Sequence, residues 1–209
     1  MLGGYPVNNR QIESPSVEIG DVIGRVSLED TFAADKLEAY LDGILGSVQS
    51  QRILIVCVGT DRSTGDAFGP IIGSRLGHNL RIPSIDIFGT LDEPVHAVNL
   101  SATLERIETM YHERPFIIAI DACLGKFDHV GHIAVERGPL RPGAGVKKVL
   151  PEFGDVTITG IVNVSGFMEY FVLQNTRLGI VMRMSDIVVQ ALSSSLQKWQ
   201  HSVAMRMGM

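Results

Sequence analysis

Ile53-Leu54-Ile55-Val56-Cys57-Val58-Gly59-Thr60-Asp61-Arg62-Ser63-Thr64-Gly65-Asp66-Ala67-Phe68-Gly69-Pro70 decides the fold of this chain. Residues 53–58 are a continuous apolar run rich in β-branched side chains and closed by Gly59, the pattern of a strand covered on both faces. From Gly69 and Pro70 onward the stretch reads as a helix. Proline suits a first turn, where its missing N–H would have no partner. A buried strand, a polar loop and a helix together make the opening unit of an α/β fold.

The same reading extends in both directions. Upstream, Ser27 followed by Asp30 resembles a capping box and starts a helix. Phe32, Leu37, Tyr40, Leu41 and Ile44 recur at helical spacing, and Gly46 ends the run. Residues 1–26 are polar and carry Gly3, Gly4, Pro6 and Pro15, so they are expected to form a flexible arm before a single domain at 27–209. Downstream, strands are expected at 85–88, 116–120, 131–136 and 156–162. Helices are expected at 69–78, 95–111, 166–174 and 178–199, with Phe167, Tyr170 and Phe171 in the core. Alternating strands and helices predict a three-layer α/β/α architecture with a mostly parallel sheet.

Bulk properties remove several function classes. The chain has 209 residues, 45% hydrophobic and 20% charged, with a net charge of -5. That balance argues against nucleic acid or an anionic membrane as the main partner. No run of about 18 apolar residues suggests a membrane span. The two cysteines, Cys57 and Cys123, with no signal-like N-terminus, point to a reducing cytoplasm. Both read as small buried apolar residues. His129 and His132, with Asp128 and Glu136 nearby, read as a turn and strand edge rather than a metal cluster. The loop after Gly59 has neither the Gly-Lys-Ser/Thr of a phosphate loop nor dinucleotide glycine spacing, so no cofactor is expected.

In open parallel sheets, ligands gather beyond the carboxyl ends of the strands. Asp66 follows the first strand of the quoted stretch, and Asp121 sits at the end of the strand formed by residues 116–120. If those strands are neighbours, the two acids face each other. Close carboxylates resist double ionisation, so one holds a proton while the other acts as a base toward water. Such a pair can instead bind a metal ion. Each acid also has a plainer use. Asp66 stands where a helix N-cap would, Asp121 can hold loop amides, and Asp61 reads as a turn residue.

Three ordered motifs carry a family resemblance. Gly65-Asp66-Ala67-Phe68-Gly69-Pro70, Ile118-Ala119-Ile120-Asp121-Ala122 and Arg141-Pro142-Gly143-Ala144-Gly145-Val146 resemble motifs of the germination (spore) protease. The resemblance spans residues 52–175. Val58 to Asp66 is closer still to the YyaC family of sporulation proteins, relatives of that protease. It implies the phosphorylase/hydrolase-like fold shared with hydrogenase maturation endopeptidases, and an aspartate pair at Asp66 and Asp121. In the hydrogenase peptidases, acids and a histidine hold nickel. The histidine position corresponds to Asn163 here, which favours a metal-free site.

The leading expectation is therefore a sporulation-associated endopeptidase of aspartic type, with Asp66 and Asp121 catalytic. Its substrate would be a peptide or protein, spore proteins among them. Gly59, Thr60, Asp61, Gly143, Ala144, Gly145 and Asn163 are the candidate substrate-binding residues. Backbone N–H groups of Gly59, Thr60 and the 143–146 loop are expected to face the oxyanion. Two alternatives stay open: a non-catalytic binding module that keeps the fold, and a metal-dependent hydrolase. Apolar positions Ile180, Val181, Met184, Ile187, Val188 and Leu192 suggest either a core stripe or a homo-oligomer face.

Overall fold

The structure is a computed structural model that describes residues 21–142 and 150–206. Its strands are β1 (Asp21–Ser27), β2 (Ile53–Cys57), β3 (Ile85–Phe88), β4 (Phe116–Gly125), β5 (His132–Arg137) and β6 (Val156–Val164). The helices are α1 (Ala33–Leu45), α2 (Phe68–Asn79), α3 (Leu100–Met110), α4 (Glu169–Gln174) and α5 (Leu178–Arg206).

The strands form one six-stranded sheet in the order β1-β5-β6-β4-β2-β3. Neighbours β3, β2, β4 and β6 pair in parallel, and β5 runs against both β6 and β1. Every residue of β2 is buried, as its unbroken apolar sequence requires. Alternate side chains supply two cores. Ile53, Ile55, Ile118, Ile120 and Ile158 pack with Leu37 and Leu41 of α1, Phe68 and Ile72 of α2, and Val181 and Leu192 of α5. Leu54, Val56 and Ala119 pack on the opposite face with Leu100 and Ile107 of α3 and with Phe153. The expected mostly parallel, three-layer arrangement is present.

Four expectations change in the folded chain. Residues 21–26 belong to β1, whose edge pairing runs from Asp21 opposite Arg137 to Ser27 opposite His132. A short polar strand containing Gly24 carries no clear alternation. Gly24 is needed because a Cβ there would stand 2.3 Å from the Tyr40 ring. Ser27 therefore closes a strand, and α1 starts later, at Ala33, where the Asp30 carboxylate accepts the Phe32 N–H at 2.9 Å. The third change is that β4 runs on to Gly125, so Asp121 lies within a strand. Finally, Phe167, Tyr170 and Phe171 are 90%, 60% and 51% exposed, outside the core. The α5 stripe goes the other way. Val181, Met184, Val188 and Leu192 are buried against α1, α2 and the sheet, so this stripe gives no reason to invoke a second copy.

Candidate active site

The carboxyl end of β2 is held by a chain of backbone bonds. Val58 N–H donates to Ile120 O at 2.7 Å, Gly59 N–H to Val95 O at 2.8 Å, and Thr60 N–H to Asp66 O at 3.1 Å. Gly59 has φ +139°, and a Cβ on it would lie 2.0 Å from the Asp66 carbonyl oxygen. Only glycine allows this approach. The chain then enters a single 3-10 turn, Gly65–Ala67, which runs directly into α2. Neither the turn nor α2 has a side-chain cap, so the Asp66 carboxylate is not spent on capping.

Burial raises the Asp66 carboxyl above its ordinary value, with the Thr60 N–H and the nearby His96 pulling the other way. Asp121 projects from β4 beyond the last residue pair of β2 and β4, Cys57 with Ile120. It lies opposite Thr159 of β6, and its Oδ1 accepts the Ala122 N–H at 2.8 Å. Some of the residue surface stays open, but burial of the carboxyl raises it well above the carboxylate range, and the charge of Asp66 adds to this. Asp121 thus feels the charge of Asp66. Where like charges couple in this way, the apparent values belong to the pair. Of the two carboxyls, that of Asp121 is raised the more strongly, because it is the more deeply buried.

The remaining candidates fare differently. Asp61 is exposed and only accepts the Thr60 hydroxyl at 3.4 Å. The N–H groups of Gly59 and Thr60 are already bonded, so they do not face an oxyanion. Gly143, Ala144 and Gly145 lie outside the described residues. Asn163 is committed structurally: its Nδ2 donates to Val172 O and Thr176 Oγ1, each at 3.2 Å, and its Oδ1 accepts Val164 N–H at 2.8 Å. It ties β6 to α4, which packs on the Asp66 turn. Cys57 is wholly buried with its thiol pushed up, and burial pushes the Cys123 thiol to about 12. Neither is an activated nucleophile. Among the described residues, no group of three or more His, Cys, Asp or Glu side chains is arranged to hold a metal ion. A three-ligand nickel site of the kind the resemblance suggests does not fit these residues.

The sequence reading missed His96. It follows Val95, which bridges to Val58 and accepts the Gly59 N–H. Two loops distant in sequence therefore meet beside Asp66. A single histidine in a loop after a short strand carries no motif, and only the sheet order brings it there.

Residues 25–191 match a family described as a protein of unknown function, DUF1256. The chain belongs to that family. The match spans Asp66, His96 and Asp121. An uncharacterized protein of Bacillus subtilis (strain 168), YyaC, is 49% identical over 168 residues, covering 80% of this chain and 81% of the relative. The crystal structure of HycI, a [NiFe] hydrogenase maturation protease from Thermococcus kodakarensis KOD1, gives a TM-score of 0.49 at 16% identity. That alignment covers 73% of this chain and 98% of HycI. Among the described residues, no helix is long and apolar enough to cross a membrane.

Proposed function

We propose that this protein is an endopeptidase in which Asp66 and Asp121 share one proton and activate water against a peptide carbonyl. The observation that carries this reading is the pair itself, two acids with raised carboxyls coupled at the carboxyl end of a parallel sheet. Asp66 takes a proton from water as the hydroxyl oxygen adds to the carbonyl carbon. Asp121 gives its proton to the leaving nitrogen as the C–N bond breaks. The pair then holds one proton again. The ordered motif resemblance to the germination protease supports a setting in sporulation, so small acid-soluble spore proteins are the first substrates to test. Purified protein should cleave them, and Asp66→Asn or Asp121→Asn should each reduce the rate by about 100-fold or more. A rate unchanged by both substitutions overturns the reading.

A second reading, a non-catalytic peptide-binding module, is favoured by one observation. The N–H groups of Gly59 and Thr60 are already bonded within the fold. Peptide binding that survives both Asn substitutions, with no turnover in the unsubstituted protein, would establish it.

A further inference from the structure

In the peptidase reading the attacked carbonyl oxygen needs a donor, and the N–H groups of Gly59 and Thr60 are already bonded within the fold. His96 stands on the loop that bonds to Gly59 through Val95. Its own N–H donates to Asn99 Oδ1 at 2.8 Å, and Asn99 Nδ2 donates to Pro94 O at 3.0 Å. This closes a turn that fixes residue 96 just before α3. The Val98 N–H donates to His96 Nδ1 at 3.3 Å. A ring nitrogen that accepts carries no proton, so the proton of the neutral imidazole sits on Nε2, at the opposite edge of the ring. His96 is half-buried and lines a cleft of about 380 Å³ with Thr90, Glu93, Asn99 and Arg106. The Gly59 N–H bond to Val95 O and the bridge between Val58 and Val95 place residue 96 next to the loop that carries Asp66.

We propose that His96 is a catalytic residue of this site, donating its Nε2–H to the carbonyl oxygen of the peptide bond under attack. The proposal rests on the peptidase reading. As the hydroxyl oxygen adds to carbon, the C=O π pair moves onto oxygen, and the hydrogen bond from Nε2 meets the charge that develops. The imidazole proton stays on nitrogen throughout, and the leaving nitrogen takes its proton from the aspartate pair. Donors aimed at a developing oxyanion contribute about 100-fold to 1000-fold in rate.

Two experiments decide the proposal. Nitrogen-15 NMR of the unsubstituted protein should show the His96 ring protonated at Nε2 with Nδ1 as an acceptor, and the opposite tautomer overturns it. On a peptide that the protein cleaves, His96→Ala should lower kcat by about 100-fold or more with KM little changed. Free imidazole should restore part of the rate. His96→Gln, which keeps an N–H donor, should retain more activity than His96→Ala and guards against a folding defect in the latter. If both variants cleave at the full rate while Asp66→Asn abolishes cleavage, the role of His96 is lost and the peptidase reading stands. If Asp66→Asn and Asp121→Asn leave cleavage unchanged, the peptidase reading is lost. A protein that cleaves nothing removes both.

Discussion

The Asp66 carbonyl oxygen accepts the Thr60 N–H at 3.1 Å and leaves only 2.0 Å to where a Cβ on Gly59 would stand. The loop carrying the first acid is therefore folded back on the end of β2 with no room for a larger residue. Gly59→Ala would meet that overlap and place a side chain at φ +139°. Such backbone costs on the order of 1–3 kcal/mol even without a clash. We expect Gly59→Ala to lose at least about 2 kcal/mol in urea unfolding. An unchanged unfolding midpoint would contradict the loop geometry.

Asp121 sets a pH dependence of stability with a definite sign. Its carboxyl is raised in the fold, so the native state binds more protons than the unfolded chain. Stability then falls as pH rises above about 4, the value for an unfolded aspartate. Asp121→Asn is neutral in both the folded and unfolded chain, so it needs no proton uptake on folding, and it keeps an oxygen for the Ala122 N–H. The variant should be more stable than the unsubstituted protein at pH 7 and lose that advantage near pH 3. Unfolding curves across this range check it, and a variant less stable at neutral pH would refute it.

The coupling of the pair is itself measurable. Removing the charge at Asp66 takes away one of the causes that raise Asp121. In a carbon-13 titration of the carboxyl groups, Asp66→Asn should move the Asp121 transition to lower pH. A transition that does not move would mean the two acids occupy separate surroundings.

At the other end of β4, Asp155 does purely structural work. Its Oδ2 accepts the Ile117 N–H at 2.8 Å, and its Oδ1 accepts from Arg114 at 2.7 Å. Asp155→Ala leaves that N–H unpaired and should cost about 1–3 kcal/mol. Peptide cleavage by the folded variant should be unchanged, since the site lies at the opposite end of the sheet.

Phe167 tests the revised view of the segment before α4. At 90% exposed, it contributes little to the core. Phe167→Ser should change unfolding free energy by no more than about 0.5 kcal/mol. A loss of several kcal/mol would return this residue to the interior.

Much of this protein was legible in the order of its residues. Continuous apolar runs such as 53–58 can only be buried strands, because both faces of each must find cover. Their alternation with helical periods then dictates a mostly parallel sheet, and a parallel sheet gathers its loops at one end, which singled out Asp66 and Asp121. Contacts between distant segments left no such mark. β1 is a strand because β5 offers its edge, Phe167 stays outside because α4 lies over the Asp66 turn, and Asn163 is occupied in tying β6 to that helix. His96 comes next to the loop that carries Asp66 only because β3 and β2 lie side by side and Val95 bonds to Gly59. Local pattern encodes which surfaces must be buried. Which side chains meet at the sheet edge depends on strand order and loop closure, and these exist only in three dimensions.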